Sequence, residues 1–548
     1  MASNIKRVLL LHTDRYYLVK QVYPFGLDLI ANYLRNCGYE VTIDYPFLPE
    51  ADPAVNLANI LKRSNPQVIG IGIRNLDTCM SCEQYGDHEG PGYKTFYFFP
   101  DVERIVEIIK ELQPEIPMVV GGGAFSVAPA AILKRLGIQY GIVGQGEEPL
   151  RQFLEAYPDN KTIAKIPNMV LQIGDGHLES TKRYYTFSEI GGVVDRARKF
   201  TYAHETAGLP VQVKRGCNQN CCYCVEPLIE GRRFVFKDYD NAVGELQEVA
   251  DNNEEIRSIF FVDTEFNLPD LRYCSALVER IIDAGLHEHF CFCSQFLPKP
   301  FEPEFARLLA EAGFDVIFTC DSLADGVLER NGSSHRRKDV IKALELCEQF
   351  GINCTVALIF GLPGETYETI DQTVEDVLRY PPNVLRRYEY TVGGRIYQGT
   401  PLCRFVETHQ CDQHLYGKRS EGYLEPYYYC CPENPWQLNG YLERVLPFSM
   451  TYRNNYDDTS RQALALAYLA DQGRWDEAEA RFLHSGLGAQ TSIYDYIFRK
   501  LADSGKTDVA RILSEGLIHR ILASEDSSKY AEQLAVIRYY LSLLTTSS

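Results

Sequence analysis

At 548 residues the chain exceeds one ordinary core, so two to four domains are expected. Its 45% hydrophobic and 24% charged residues are the balance of a soluble globular protein. The net charge of −19 argues against nucleic acid or an anionic membrane surface as the main partner. The first apolar run, Val8 to Leu11, is closed by Asp14 and Arg15 and is too short for a signal segment; nothing of membrane-span length follows, so a cytoplasmic protein is expected. In such a chain the 17 cysteines do not imply a disulfide framework: most should be small buried side chains and a few are left for metal or chemistry.

Short buried runs alternate with helical spacing over residues 1–155. Strands are expected at Arg7–His12, Val41–Tyr45, Gln67–Ile73, Met118–Val120 and Tyr140–Val143, with helices such as Phe25–Asn36, Val102–Leu112 and Ala128–Leu136 between them. That alternation predicts an α/β fold with a doubly wound, Rossmann-like parallel sheet and ligands at the carboxyl ends of its strands. Residues 156–210 read as a polar linker. A second array over 211–402 has strands near Val211–Lys214, Ile256–Val262, Phe290–Ser294, Val316–Cys320, Thr355–Phe360 and Tyr388–Val392, which suits a partial (β/α)6 barrel. Residues 403–548 should be loop-like to about 435 and then helical, with spacing such as Ala463, Leu464, Ala467, Tyr468 and a turn at Gly473–Ala478 that fits a helical cap better than a repeat array.

Chemistry concentrates in Lys214-Arg215-Gly216-Cys217-Asn218-Gln219-Asn220-Cys221-Cys222-Tyr223-Cys224, directly after a predicted strand. An iron–sulfur cubane usually takes four thiolates, so three at close spacing leave one iron open. A zinc knuckle is the other chemistry for such cysteines, but it wants a fourth Cys or His nearby, and the nearest histidines are His204 and His287. The spacing C-x-x-x-C-x-x-C selects Cys217, Cys221 and Cys224 and leaves Cys222 spare.

With Tyr223 before the last ligand, the motif resembles the radical S-adenosylmethionine superfamily, and later strand ends agree over about 211–402. These are Phe261-Val262-Asp263-Thr264-Glu265, the strand ending at Ser294, Cys320-Asp321-Ser322, Phe360-Gly361-Leu362-Pro363-Gly364 and Arg395 to Leu402. Each alone could be a turn or an N-cap; their order carries the resemblance. It implies a [4Fe–4S] cluster on Cys217, Cys221 and Cys224, and S-adenosylmethionine held by Tyr223, Asp263, Glu265, Ser294, Asp321, Ser322 and Gly361. Arg330 and Arg337 are candidates for the cofactor carboxylate, or else solvated surface arginines.

Residues 1–155 resemble the cobalamin-binding domain that precedes the barrel in one class of these enzymes. The resemblance rests on Tyr23-Pro24-Phe25-Gly26-Leu27, Gly121-Gly122-Gly123 and Val143-Gly144-Gln145-Gly146-Glu147. It implies corrin contacts at Thr13, Asn75, Gly121, Gly122, Gly123, Phe125, Gly144 and Glu147. The first loop reads His12-Thr13-Asp14-Arg15-Tyr16-Tyr17, not D-x-H-x-x-G, so no axial histidine is expected from it. Arg74, or Asn75, is expected to face the cobalt; an arginine there is a poor ligand but a good blocker, as in the tryptophan 2-methyltransferases. The insertion Thr78–Pro100, with Cys79, Cys82 and His88, reads as a flap or an incomplete metal site, and Cys403, Cys411, Cys430 and Cys431 as packing or an auxiliary cluster, with His409 and His414 beside them.

The function implied is a cobalamin-dependent radical C-methyltransferase for a small molecule, fed electrons by a carrier such as flavodoxin or ferredoxin. A cobalamin-linked cyclisation, ring rearrangement or other group transfer is the second expectation, and a non-enzymatic iron–sulfur sensor the third.

Overall fold

The computed structural model describes residues 5–14, 23–48, 52–82, 95–174, 176–182, 192–198, 204, 207–447 and 451–452; beyond them it describes 469, 473–474, 477, 498, 501, 507–523 and 531–546. Arg15 to Tyr17, His88 and most of the helical spacing from Ala463 to Ile497, Trp475 included, lie outside the described residues.

The N-terminal sheet joins β1 (Arg7–His12), β2 (Glu40–Asp44), β3 (Val68–Gly72), β4 (Met118–Gly121), β5 (Tyr140–Ile142), β6 (Met169–Ile173) and β7 (Gly176–Glu179) in the order 2-1-3-4-5-6-7. The first five strands are parallel, and the order reverses between β1 and β3. At such a switch point the connections leave in opposite directions and open a crevice at the carboxyl edge. β1 and β3 are buried almost throughout, because helices cover both faces. One face packs Leu9, Leu11, Ile69 and Ile71 against Leu57, Ile105 and Ile109; the other packs Val8, Leu10 and Val68 against Ala31, Leu34 and Phe153.

Residues 169–179, expected inside a polar linker, instead add β6 and β7 as an antiparallel hairpin on the sheet edge. All four residues of β7 are exposed, so its composition resembles a loop although its backbone is paired to β6.

The second sheet is parallel throughout: β8 (Leu209–Val211), β11 (Ser258–Phe261), β12 (Cys291–Phe296), β13 (Phe314–Asp321), β14 (Cys354–Phe360), β15 (Arg386–Val392) and β19 (Thr451–Tyr452) lie in that order. It is a partial barrel of the expected kind, extended by a seventh strand from the C-terminal region. In β14, Cys354, Val356, Leu358 and Phe360 are buried, while Thr355, Ala357 and Ile359 between them are only partly so. The period of two sends the first set outward under the helices and the second into the barrel, whose interior stays accessible.

Two small antiparallel units sit at the rims. β9 (Lys214–Arg215) pairs with β10 (Val235–Phe236). β16 (Gly394–Arg395), β17 (Leu415–Gly417) and β18 (Tyr427–Tyr429) form a three-stranded sheet in 403–435, where loops were expected. Helix Pro401–Thr408 precedes β17, with Thr400 Oγ1 accepting from Cys403 N at 3.2 Å as its N-cap. No helix among the described residues is long and apolar enough to cross a membrane.

Candidate active site

β9 ends at Arg215, and the chain turns through Gly216 into the cysteine loop. Gly216 sits at φ +102, and a Cβ there would lie 2.3 Å from the Arg233 carbonyl, so only glycine admits this turn. Cys217 N then bonds Gly231 O at 2.9 Å, and Cys224 N bonds Cys221 O at 3.2 Å, which folds the loop back on itself. Cys217 is buried, and Cys221 and Cys224 are partly exposed. Cys222 points the other way: its thiol donates to Asn331 Oδ1 at 3.0 Å, its N–H to Asn331 O, and its carbonyl accepts from Leu402 N. It packs with Ala324, Val327, Leu362 and Ile396.

The barrel supplies carboxylates to the same place. Tyr223 donates its hydroxyl to Asp321 Oδ1 at 2.6 Å, tying the cysteine loop to the end of β13. Asp321 adopts φ +60, in the left-handed region that Asp tolerates, beside a register shift between Thr319 and Asp321. Ser333 Oγ donates to Asp321 Oδ2 at 3.3 Å. Glu265 accepts from Thr319 Oγ1 at 2.8 Å through Oε1, and its buried Oε2 has no hydrogen-bond partner. Burial, followed by the nearness of Asp321 in the case of Cys221, pushes the thiols of Cys217, Cys221 and Cys224 up, and it pushes Glu265 up to about 8. Three thiols and two buried carboxyls thus share one strand-end region, each disfavoured as an anion there. An iron–sulfur cluster and a cationic sulfonium cofactor fit that donor set, because both bring positive charge to it. Among the described residues no three His, Cys, Asp or Glu side chains converge on a single ion.

Other expected cofactor residues are committed elsewhere. Ser294 falls on the outward register of β12 and donates to Phe261 O at 2.9 Å, so its neighbour Gln295 is the partly exposed, inward residue. Ser322 accepts from Ala324 N at 3.1 Å and faces Thr373, the turn-forming alternative for this motif. Arg337 forms a forked ion pair with Asp376 on helix Tyr367–Arg379, and Arg330 is exposed, lying across Gly364. Gly361 has its Cβ direction filled by Cys430 Sγ at 2.6 Å. Asp263 Oδ1 accepts from Val213 N and Lys214 N at 3.0 and 2.8 Å, holding the bend before the cysteine loop; its Oδ2 has no partner.

At the carboxyl edge of the N-terminal sheet, Thr13 Oγ1 donates to Gly72 O at 3.0 Å and is fully buried. Arg74 pairs with buried Asp14 at 3.3 Å, and its side chain is 47% exposed. The Asn75 amide, oriented to satisfy both ends, donates to the Arg74 carbonyl and accepts from its guanidinium, each at 3.0 Å. His12 is buried against Tyr45, and burial followed by Arg74 lowers its pKa to about 3. It is 4% exposed.

The glycines have a protein reason. Gly122 sits at φ +107 with a Cβ position 2.3 Å from Ile73 O, so β3 and β4 can end this close only with glycine there. Gly121 O accepts from Ile73 N at 2.8 Å. A Cβ on Gly123 would press on the Arg74 carbonyl at 3.1 Å, and one on Gly144 on the Ile229 carbonyl at 3.3 Å, in the helix Glu226–Ile229 that follows the cysteine loop. Phe125 is not at the edge but in the core, against Gly141. Glu147 pairs with Arg215 at 2.9 Å across the seam. Arg215 Nε bonds Gln212, Gln212 bonds Glu230, and Glu230 accepts from Gly216 N, so this pair braces the cysteine loop.

Sequence reasoning missed a second seam. Asp77 and Arg395, both buried, pair at 3.0 Å, and Arg395 lies over the rings of Tyr397 and Tyr428. Cys79 Sγ lies 2.9 Å from Tyr397 Oη, and Ser81 Oγ donates to Val392 O. The start of the insertion at Thr78 is therefore a strap across the barrel rim; only Asp77 beside a Cys-rich stretch hinted at it. Cys82 joins the barrel core, and Cys403, Cys411, Cys430 and Cys431 are buried in apolar surroundings, Cys431 bonding Leu362 O at 3.1 Å.

Known proteins match along these lines. The Radical SAM superfamily model matches residues 211–377, and the B12 binding domain model matches 97–154. Tryptophan 2-C-methyltransferase of Streptomyces laurentii is 24% identical over 458 residues, 71% of this chain and 72% of that protein. The radical S-adenosylmethionine methyltransferase TsrM of Kitasatospora setae, solved with tryptophan and an S-adenosylmethionine analogue, superposes with TM-score 0.71 at 21% identity, over 86% of this chain and 99% of that one. OxsB, a cobalamin-dependent S-adenosylmethionine radical enzyme, superposes with TM-score 0.61 at 14% identity, over 98% and 84%. The chain thus carries a B12 binding domain match followed by a Radical SAM match, with three thiols on the loop after β9, and is similar over most of its length to cobalamin-dependent radical S-adenosylmethionine enzymes.

Proposed function

We propose that this enzyme methylates a carbon atom of a small molecule, with an indole such as tryptophan as the first substrate class to test. One observation carries the reading. The loop that bears Cys217, Cys221 and Cys224 and the loop that bears Arg74 meet at a single seam: the Cβ position of Gly123 lies 3.1 Å from the Arg74 carbonyl and 3.6 Å from the side chain of Ile229, in the short helix that follows Cys224. When bound, the cluster with S-adenosylmethionine supplies a carbon-centred radical, and cobalamin supplies the methyl group.

The chain's own residues hold and orient. Cys217, Cys221 and Cys224 hold the cluster. Tyr223 and Ser333 fix Asp321, and Thr319 fixes Glu265, leaving a buried carboxyl oxygen of Glu265 to accept a donor such as an amine or ribose hydroxyl. Asp14 holds Arg74, whose guanidinium offers no lone pair to a metal. Were cobalamin held at this edge, Arg74 would stand beside it as a residue that cannot bind the metal, and the group would supply methyl transfer. The buried pairs Glu147–Arg215 and Asp77–Arg395 close the seam against water, which protects a radical from quenching.

The reading is tested by anaerobic purification, reconstitution with iron, sulfide and cobalamin, and incubation with S-adenosylmethionine under strong reductant with a panel of indoles. Formation of S-adenosylhomocysteine together with a methylated product is expected. By-products of S-adenosylmethionine without any methylated product would favour cyclisation or another group transfer instead.

A further inference from the structure

The cysteine loop has two faces. Toward the barrel lie Tyr223, Glu265 and Asp321. On the other side a cleft reaches Cys221 and Cys224, lined also by Leu228, Arg232, Thr400 and Arg404. Neither Glu265 nor Asp321 lines it, so it is a separate approach to the same thiols.

Its chemistry differs from that of the rest of the molecule. Arg232 is exposed and anchored by Nη1 to Gln219 O and Asn220 Oδ1 at 3.2 and 2.9 Å. Arg404, exposed on helix Pro401–Thr408, donates to Gly399 O at 2.8 Å. Lys182 reaches Leu228 O at 3.3 Å from the rim. Among the described residues none of the three forms an ion pair, and no carboxylate lines the cleft, although the chain carries a net charge of −19. Elsewhere an anionic protein would be repelled; here it meets fixed cations above the route to two thiols.

We propose that this cleft is the docking face for a small acidic one-electron carrier protein. The proposal rests on the iron–sulfur reading of Cys217, Cys221 and Cys224. The step moves one electron from the reduced carrier to the oxidised cluster; the carrier is oxidised by one electron, and no bond or proton is exchanged. Opposed charges raise the encounter rate and orient the carrier, and salt weakens both effects.

The test uses the full-length, reconstituted enzyme and stopped-flow bleaching of the cluster. Flavodoxin hydroquinone is the protein probe, and photoexcited 5-deazariboflavin, which is uncharged, is the small-molecule control. Arg232→Glu/Arg404→Glu should slow reduction by flavodoxin about tenfold or more at low ionic strength, with the gap closing at high salt. Reduction by deazariboflavin and iron content should stay at parent values. Lys182→Glu, outside the cysteine loop, should give a smaller loss of the same kind and keeps the test readable if Arg232→Glu disturbs that loop. Flavodoxin rates unchanged in both variants, or a parallel fall with deazariboflavin in the Lys182→Glu enzyme, would overturn the docking face. A parent enzyme that binds no iron would overturn the proposed function, and this proposal with it.

Discussion

Cys222 shows how a contact assigns a residue that a motif leaves ambiguous. Its thiol and both of its peptide groups are engaged with Asn331 and Leu402, away from the other three thiols. Cys222→Ala should therefore keep full iron content at a stability cost of about 1–2 kcal/mol, whereas Cys221→Ala should lose the cluster. Iron analysis and the visible spectrum check both, and iron loss in Cys222→Ala would reverse the assignment. Glu365 gives a pH signature. Burial raises its carboxyl from 4.5 to about 7, only partly offset by hydrogen bonds from Thr369 Oγ1 and Gly361 N. The native state keeps this proton where the unfolded chain has released it, so the group's stabilising contribution is full below the unfolded value and is lost as pH rises through about 7, by up to about 1.4 kcal/mol per pH unit. Glu365→Gln holds the neutral form, so melting curves from about pH 5 to about pH 8 should show the variant gaining on the parent as pH rises. Parallel curves would remove Glu365 from this role. The cysteine spacing was legible because its chemistry is local. Arg337, Glu147 and Ser294 were not, because Asp376, Arg215 and Phe261, which claim them, are distant in sequence.

Elements were legible where burial leaves a continuous apolar or alternating record, as in β1, β3 and β14. The β6–β7 hairpin was hidden because β7 is wholly exposed, and β17–β18 because a Tyr- and Cys-rich stretch lacks strand-like alternation. The strap after β3 is held by a desolvated ion pair, so Asp77→Ala should cost about 3–5 kcal/mol by leaving the Arg395 guanidinium buried and unpaired. Adding Arg395→Met should recover much of that loss, as read from urea midpoints; a double variant no better than the single one would mean the strap depends on Arg395's bonds to Tyr423 O and Leu424 O instead. Gly122→Ala, with its Cβ against Ile73 O, should lower stability by several kcal/mol whether or not cobalamin is bound.

At the scale of the molecule, the parallel strands of two sheets present their carboxyl edges to one seam. One carries the cysteine loop, the other Arg74 and the glycine loops, and buried ion pairs fasten them on two sides. That arrangement matters only if the radical made on one side receives its methyl group from the other. The most direct measurement uses S-adenosylmethionine labelled with a deuterated methyl group, enzyme carrying both cofactors, and mass spectrometry of product and cobalamin. After the first turnover, the deuterated methyl group should be found on the cobalamin and on a carbon of the product, and Arg74→Ala should change the rate of its appearance while leaving iron content at the parent level. A product that carries no label, formed while S-adenosylmethionine is still consumed, would contradict methyl transfer across this seam.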